Sequence, residues 1–597
     1  MSALTEAKAL AAEGKKVEAA RRLRDGLSSR MSYLDQTSAA KLADSLSEGL
    51  PPVRLAVLGS STTAQLLPLL RLHAFKEGFR LELYDAPYDA YQQEILDEKS
   101  GLYAFKPQAA LLYVNHRDAR PGPAEAEAER WAALWTRLRE RAGCAVLTNN
   151  FDVPVERAWG NLDAARTDAG LGRLRRLNAL LAEKAGAGVA VIDVEHLSAL
   201  HGKESWHDPR FWHHSRQAMS FDGLARYAAE AAAVLAAALG RSRKCLVLDL
   251  DNTLWGGVVG DDGAEGLELA GSPNGEAHLE FQRYVKELGR RGVLLAVCSK
   301  NEDERAREPF KKRPDMVLKL EDFSAFVANW EDKATNLRSI AAQLNIGLDA
   351  LVFVDDNAGE RELVRRFCPE VAVVDLPEDP AGFSRALDAR RFFETVSVSK
   401  EDARRAAHFQ AEAARESLRR GAPDLASFLK DLEMSAEAGP FTEPDVARIA
   451  QLINKTNQFN LTTRRSSEPE VRALMADPAA WTLAVRLRDR LGDYGLISAV
   501  IARRSGSAFE IDTWLMSCRV LGRGVEKLAF NRLLAAARAA GAKELVGRYL
   551  PTAKNAPVKE LLPSLGFAAA PDGAWRLSVA GAKPQEVSIR DESPRAA

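Results

Sequence analysis

Two carboxylates close an apolar run near the middle of the chain. In the stretch KCLVLDLDNTLWGGVVGDDG, Lys244 to Gly263, Asp249 and Asp251 end a segment typical of a buried parallel strand. Because side chains alternate along a strand, both acids lie on one side while Leu250 turns away. Such neighbours repel each other unless a cation lies between them, and Mg²⁺ prefers oxygen ligands of this kind. The alternative is an Asp-Asn-Thr turn that caps a helix after a core strand.

Three later segments, each at or just beyond the end of an apolar run, supply further polar groups. VLLAVCSKN contains Ser299, NWEDK ends at Lys333, and LVFVDDN contains Asp355 and Asp356. These are the groups that a phosphoryl-transfer site needs. A serine and a lysine hold the phosphoryl oxygens and offset their developing charge, and the late acidic pair adds metal ligands.

Each acid therefore has an expected role. Asp249 attacks phosphorus as a nucleophile and forms an aspartyl phosphate, and Asp251 protonates the leaving group and later activates water. Mg²⁺ keeps several waters, so a few protein oxygens suffice to bind it. The expected ligands are Asp249, Asp251 through its backbone carbonyl, Asp355 and Asp356.

In order and spacing, these segments resemble the motifs of the haloacid dehalogenase (HAD) superfamily of phosphotransferases. LDLDNTLWGGVVGDDG, with CSKN and FVDDNAGER, resembles its FkbH-like branch from Lys244 to about Leu376, and LINKTNQFNLTTRR extends the resemblance beyond that core. The resemblance implies capture of a glyceryl unit from 1,3-bisphosphoglycerate, removal of phosphate, and delivery of glycerate as a thioester to an acyl carrier protein. The short gaps between motifs leave no room for a large cap domain, which suggests an open site for a bulky or protein-borne substrate.

An enzyme thiol would hold the acyl group in transit, and Cys298 is the best placed of the five cysteines because it directly precedes Ser299. A thiolate there would lie near Lys300 and the expected metal ion. The alternative is that Cys298 faces the packed side of the sheet, since neighbours in a strand point in opposite directions. Cys245 is predicted to lie in the core.

Length and composition limit the architecture and the cellular setting. With 597 residues and 46% hydrophobic content, three or four domains are expected. A net charge of −1 provides no electrostatic footprint for nucleic acid or an anionic membrane. The cysteines are scattered and odd in number, which fits a reduced cytoplasm better than a disulfide scaffold. No signal peptide or membrane-spanning segment is expected.

From Arg54 to about residue 240, short apolar runs alternate with helical stretches, which predicts a doubly wound parallel sheet. This part resembles SGNH-type hydrolases, with Ser61 in the nucleophile position and Asn115 in the oxyanion position. Ser60 replaces the family's Asp, and the DxxH spacing is met only too early in the chain. A helix cap formed by Ser60 or Ser61 is favoured over a working esterase. Three histidines are interpreted as surface or packing residues rather than metal ligands: His207, His213 and His214.

Near the C-terminus, a Gly-rich turn between strands and a long helix resembles the pyrophosphate loop of GNAT acyltransferases. Backbone amides in such a loop bind phosphates. The expected binding residues are Arg519, Gly522, Gly524 and Asn555, and the ligand would be coenzyme A or the phosphopantetheine arm of a carrier protein. A fold retained only for docking is equally compatible. Asn457, Gln458 and Asn460 are interpreted either as ligand contacts or as ties within a loop.

The sequence thus predicts an α/β chain of three domains: an SGNH-like or flavodoxin-like sheet, a HAD Rossmann-like parallel sheet and a GNAT-like mixed sheet. The expected ranges are a helical segment 1–50, then 51–240, 241–395, a helical connector 396–435, 436–580 and a disordered tail 581–597. The expected function is a Mg²⁺-dependent phosphatase and glyceryltransferase that loads a carrier protein in polyketide-type metabolism. The alternatives are a phosphatase for another small metabolite with an independent acetyltransferase, and a non-catalytic assembly protein.

Overall fold

A computed structural model describes residues 3–28, 31–186, 188–396, 415, 418, 423–456, 459–464, 466, 468–517, 520–552 and 555–593. The chain forms two compact units, Met1–Ala406 and Ala407–Ala597. The predicted helical connector lies largely outside the described residues. None of the described helices combines the length and apolar character needed to span a bilayer.

The first unit begins with three helices, within the range of the predicted helical segment, followed by a parallel sheet of five strands, here called the N-terminal sheet. Its order, β2-β1-β3-β4-β5, is that of doubly wound flavodoxin-like folds. Its strands are β1 (Pro52–Gly59), β2 (Arg80–Asp85), β3 (Ala109–Tyr113), β4 (Ala145–Asn149) and β5 (Val189–Ile192). Its helices are α1 (Ala3–Ala12), α2 (Lys16–Gly26), α3 (Tyr33–Leu46), α4 (Leu66–Lys76), α5 (Tyr91–Leu96), α6 (Gly101–Phe105), α7 (Ala124–Ala142), α8 (Gly170–Lys184), α9 (Val194–His201), α10 (Lys203–Trp206), α11 (Pro209–Ser215) and α12 (Phe221–Ala238).

A second parallel sheet, here called the central sheet, completes the first unit. Its order is β10-β9-β6-β7-β8, so the strand before Asp249 lies in the middle. Its strands are β6 (Cys245–Leu248), β7 (Leu294–Ser299), β8 (Ala325–Ala328), β9 (Leu351–Asp355) and β10 (Ala372–Asp375). Its helices are α13 (Val259–Gly266), α14 (Pro273–Arg290), α15 (Asp303–Lys312), α16 (Lys333–Gln343), α17 (Ala358–Phe367) and α18 (Phe383–Asp388). Between Asp249 and Ser299, a stretch described without a gap, only two helices and one strand intervene, and no cap domain is inserted.

One predicted strand of the central sheet is wrong. The sequence pattern also predicts a strand of this sheet at residues 315–320, but the strand that follows β7 is β8, some ten residues later. The backbone amides of Val317 and Leu318 donate instead to Oε1 of Gln282 on α14, at 3.0 and 3.1 Å. Leu318 is fully buried, so its apolar character reflects packing on a helix and not pairing in a sheet.

The second unit contains a mixed sheet of eight strands, here called the C-terminal sheet, in the order β16-β17-β15-β14-β13-β12-β11-β18. Its strands are β11 (Ser435–Gly439), β12 (Ala480–Asp489), β13 (Gly492–Ser505), β14 (Ala508–Met516), β15 (Glu544–Gly547), β16 (Ala568–Ala569), β17 (Trp575–Ser578) and β18 (Arg590–Asp591). Its helices are α19 (Leu425–Asp431), α20 (Val446–Lys455), α21 (Glu468–Ala476), α22 (Val525–Ala539) and α23 (Leu561–Ser564). The mixed α/β class predicted from the sequence is confirmed.

Candidate active site

The carboxyl ends of the central strands bring the predicted acids together. Asp249 follows β6, Asp355 ends β9, and Asp356 is the next residue. One carboxylate oxygen from each lies within 4.8 Å of the others. Asp249 and Asp355 are buried, whereas Asp356 is exposed, so the cluster opens to solvent on one side.

Lys333 lies between two of these acids. It is the first residue of α16, whose N-cap is Asp332, and its Nζ lies 2.8 Å from Oδ1 of Asp249 and 2.5 Å from Oδ2 of Asp355. Burial would lower the pKa of Lys333, but the charges of the two carboxylates raise it above its usual value. Lys333 is therefore a fixed cation at the centre of the site.

One lysine cannot balance three carboxylates, so the donor set fits a divalent cation. All three acids offer hard oxygen ligands, the kind that Mg²⁺ takes together with several waters. The cluster also leaves an open side at Asp356 for those waters. Asp249, Asp355 and Asp356 are the residues that would hold the ion.

Asp251 is positioned differently from the other acids. Its Oδ1 accepts hydrogen bonds from Trp255 Nε1 at 2.9 Å and from the backbone amide of Val259 at 3.0 Å. Its Oδ2 accepts one from Nδ2 of Asn301 at 2.8 Å. These bonds fix the carboxylate beside the metal-binding cluster rather than in it, which suits a proton-transfer role better than side-chain ligation. Asn252, at φ 53°, makes the left-handed turn that follows.

Asn301 also reaches Ser299, whose Oγ accepts a hydrogen bond from the same Nδ2 at 3.2 Å. Ser299 ends β7 and is almost fully buried. Asn301 thus positions a predicted phosphoryl-binding hydroxyl and the predicted proton donor together. Its role was missed in the sequence, although it lies two residues beyond Ser299.

The loop after β9 is held by groups that the sequence analysis also missed. Arg361 donates from Nη1 to the backbone carbonyls of Asp355 and Asp356, at 2.7 Å each. Thr253 Oγ1 accepts from the amide of Asp356 at 3.2 Å. Both contacts hold the acidic pair next to the turn that follows β6. In the sequence, the position of Arg361 in the first turn of the helix after Asp355 and Asp356 was the feature that could have predicted its role.

Cys298 does not support the predicted acyl-carrying role. The residue is fully buried, and its Sγ lies 4.0 Å from the backbone carbonyl of Lys333. Burial, together with the negative charges of Asp249 and Asp355, raises the pKa of the Cys298 thiol to about 12. Strand alternation turns it to the packed side, away from Ser299. Cys245 is likewise fully buried, as expected.

The carboxyl group of Asp249 is expected to make the free energy of unfolding of the metal-free protein depend on pH. Burial and the charge of Asp355 raise its pKa to about 7 despite Lys333, against about 3.9 in an unfolded chain. Between these values the folded state binds more protons, so stability in EDTA is expected to fall as pH rises from about 4 to about 7. Urea unfolding across this range would measure the slope. Asp249→Asn should flatten it, and an equal slope in that variant would contradict the assignment.

The N-terminal sheet does not assemble the hydrolase site that the resemblance suggested. Ser60 donates to Oδ2 of Asp118 at 2.5 Å and accepts from Nδ2 of Asn115 at 3.2 Å. Ser61 is 2% exposed, and no described histidine bonds its hydroxyl. Neither serine caps a helix, because α4 begins only at Leu66, after a loop.

In the second unit, Gly522 and Gly524 both have the positive φ that the predicted loop requires, 73° and 83°, and α22 starts directly afterwards. Arg519, Asn457 and Gln458 lie outside the described residues. Asn555 is fully buried and is not available to a ligand. Its Nδ2 donates to the carbonyls of Asn460 and Leu550, and its Oδ1 accepts from Thr552.

The chain also fills the gap where β14 and β15 separate. These strands pair only over Ala508–Glu510. Beyond that point the segment 459–461 bonds to β14, through Leu461 N to Trp514 O at 3.1 Å and Met516 N to Phe459 O at 3.0 Å. Asn460 therefore belongs to an internal tie, which was one of the two alternatives for it.

Comparison with known proteins finds a family match within the first unit and a similar solved structure. The family model described as "FkbH, N-terminal domain" matches residues 54–236. The crystal structure of the N-terminal part of BF1531 from Bacteroides fragilis, which contains a phosphatase domain and is complexed with Mg, shares 34% identity and a TM-score of 0.56. That match covers 62% of this chain and 100% of the other. No curated protein matches.

Solved acetyltransferases also match part of the chain, weakly. Ribosomal-protein-S18-alanine N-acetyltransferase from Escherichia coli is 14% identical, with 25% of this chain and 98% of that chain covered and a TM-score of 0.20. Spermidine N-acetyltransferase from Vibrio cholerae, in complex with CoA and spermine, is 14% identical over 24% of this chain and 96% of its own, also at 0.20. These values support no functional assignment. The whole-length coverage of the Bacteroides structure at 34% identity, together with the N-terminal family match, shows that this chain belongs to the FkbH-like family of the HAD superfamily.

Proposed function

We propose that this protein is a Mg²⁺-dependent phosphatase that removes phosphate from a three-carbon acyl phosphate donor and loads the acyl group onto an acyl carrier protein. The observation that carries the phosphatase part is the convergence of Asp249, Asp355, Asp356 and Lys333 at one edge of a parallel sheet. The loading step rests on family membership and on a site without a cap domain.

The residues divide the work as follows. Asp249 attacks the phosphorus, the bond from phosphorus to the leaving oxygen breaks, and Asp251 gives that oxygen a proton. Water then attacks the aspartyl phosphate, with Asp251 taking up a proton, and Asp249 is released. Lys333 and Ser299 bind the phosphoryl oxygens. Mg²⁺, when bound, neutralises the charge that develops on them.

With 1,3-bisphosphoglycerate as donor, the two phosphoryl groups leave by different routes. The thiol of the carrier's pantetheine arm attacks the acyl carbon, the bond to the acyl-phosphate oxygen breaks, and inorganic phosphate departs. The other phosphoryl group is an ordinary ester and goes to Asp249. Direct attack by the carrier agrees with the burial of all four described cysteines, which leaves none of them accessible as an acyl carrier.

The test is incubation of the protein with 1,3-bisphosphoglycerate, Mg²⁺ and holo carrier protein, followed by mass spectrometry of the carrier. We expect the mass of the holo carrier to increase by one glyceryl group and the mass of the apo carrier to stay unchanged. An unchanged mass with cognate carriers, while phosphate is still released, would reject loading. That outcome would favour the second candidate, a phosphatase for another small phosphorylated metabolite.

Asn301→Leu is expected to slow phosphate release roughly 10- to 100-fold, because Asp251 and Ser299 lose their shared donor. The effect should fall on kcat rather than on KM, because the lost hydrogen bonds hold groups that act on the reacting phosphoryl group. Steady-state kinetics with a small phosphate ester would measure both constants. Asn329→Leu, which breaks the Asn329–Asn336 bonds nearby, is the control, and an equal loss of kcat in it would contradict the role of Asn301.

Trp330 is the candidate carrier contact. It is 72% exposed, and the amide of Asn329 bonds to the carbonyl of Ser299, which places this loop beside the site. Trp330→Ala is expected to raise the KM for carrier about 10-fold and to leave hydrolysis of a small phosphate ester unchanged. Trp159→Ala, which removes another exposed tryptophan in the connection between β4 and α8, is the matched control. Equal KM values for wild type and Trp330→Ala would remove this contact from the proposal.

A further inference from the structure

A second cluster of metal-binding side chains lies in the N-terminal sheet. Nδ1 of His116 is 3.2 Å from Oδ2 of Asp152, and Nε2 of His207 contacts the same oxygen. One ligand atom from each residue lies within 4.8 Å of the others. The two imidazole rings are 5.3 Å apart and nearly perpendicular, at 87°. Three donors thus converge from separate segments on one point.

The backbone holds this arrangement firmly. His116 and Asp152 follow the adjacent strands β3 and β4, whose ends are tied by Asn149, which donates to the carbonyl of Val114 at 2.7 Å. Asp152 is clamped on both sides. Asn178 bonds the backbone of Phe151 in both directions, and Glu195 accepts from the amide of Val153 at 2.6 Å.

The third residue, His207, is anchored by its neighbours. Trp206 is buried and its carbonyl accepts from the amide of Ser220 at 2.7 Å. Asp208 caps α11. Because the donors sit on constrained backbone, they are preorganised rather than brought together by chance. The interpretation of His207 as a surface or packing residue is thus incomplete, because it lies beside Asp152, 55 residues away in the chain. His213 and His214 are exposed, as expected.

The geometry does not suit a serine-hydrolase triad. In a triad the carboxylate holds Nδ1 of the histidine and leaves Nε2 for the serine. His116 does present Nδ1 to Asp152, but no described histidine bonds the hydroxyl of Ser61, and His207 presents Nε2 to the same carboxylate oxygen. Two imidazoles on one carboxylate oxygen, with that carboxylate 4% exposed and the imidazoles 13% and 20% exposed, match a metal site with an open position facing solvent.

We propose that His116, Asp152 and His207 bind a zinc-type divalent metal ion. Two nitrogen donors and one carboxylate oxygen are the ligand set that Zn²⁺ takes when it keeps a fourth position for water or a ligand. This site differs in chemistry from the all-oxygen cluster of the central sheet, which suits Mg²⁺. Each imidazole binds a metal through the lone pair of an unprotonated nitrogen, and the Asp152 carboxylate is the shared anionic ligand.

The test measures zinc in the full-length chain carrying Asp249→Asn, which weakens the other metal site. After zinc loading and gel filtration, the metal content per chain is determined by mass spectrometry, and Co²⁺ loading is followed by visible absorption. We expect one zinc ion per chain, and ligand-field bands with Co²⁺ that are typical of low coordination. Adding Asp152→Asn or His116→Gln should abolish both signals, and zinc should raise the melting temperature only where the three residues are intact.

His214→Ala is the matched control, since it removes an exposed histidine from the neighbouring helix and should change nothing. Asp152→Asn keeps the shape of the side chain, and circular dichroism checks its fold. If it fails to fold, His116→Gln decides. Zinc content that is equal in the background protein and in both ligand variants, or absent from all of them, would overturn the proposal.

Discussion

Asp249→Asn is expected to lower phosphate release by roughly 10⁴-fold or more, because the amide cannot attack phosphorus and no described neighbour can replace it. The chain should still fold. Asn has the same shape, and its amide oxygen can keep the 2.8 Å contact with Lys333. Phosphate release from a small ester, measured beside the melting temperature, separates loss of chemistry from loss of structure.

Asp261→Asn provides the matched control, because it is the same change at an exposed acid twelve residues further on. It should retain wild-type rates. If Asp249→Asn kept more than a few per cent of the activity, nucleophilic attack by this residue would be rejected, and the all-oxygen cluster would have to act through a metal-activated water instead.

Lys333→Met is the second change with a large expected effect. It should lower both the free energy of unfolding and the rate of phosphate release. The Lys333 side chain is 3% exposed, and its ammonium group is the cation that two buried carboxylates contact. Removing one side of such a buried pair costs about 3–5 kcal/mol. Urea unfolding in EDTA should show this loss, and activity should fall by about 10²- to 10³-fold because a phosphoryl contact disappears.

Two conditions should restore part of that stability. Saturating Mg²⁺ supplies the missing positive charge, and a lower pH lets Asp249 take up a proton. Lys300→Met is the control. Lys300 forms a half-exposed pair with Glu360 at 2.6 Å, and such pairs contribute about 0–1 kcal/mol. Similar losses of unfolding free energy in the two variants would show that the contacts of Lys333 contribute no more than a surface ion pair.

The sequence predicts most of the central site because strand ends and polar residues coincide there. Asp249, Ser299 and Asp355 each follow an apolar run, and parallel strands bring such ends to one edge. What it could not supply were contacts between distant segments. Gln282 accepts hydrogen bonds from the amides of Val317 and Leu318, so this segment does not pair in the sheet as predicted. Asn301 donates to both Asp251 and Ser299.

Elsewhere the sequence pattern and the structure differ for similar reasons. Asn555 matches a binding motif, yet the fold uses its amide as an internal tie. His207 and Asp152 are 55 residues apart and have no metal-binding spacing, so only the folded chain unites them. Cys298 shows that proximity in sequence to Ser299 does not give access, because alternate residues of a strand face opposite sides.

The central claim is that Asp249 receives the phosphoryl group at a site shared with Mg²⁺, Lys333 and the late acidic pair. Its most direct test is rapid acid quenching during turnover of a radiolabelled phosphoryl donor, followed by peptide mapping. The account predicts a hydroxylamine-sensitive, Mg²⁺-dependent label on the peptide containing Asp249, absent from Asp249→Asn. A label on another residue, or an unchanged label in that variant, would contradict it.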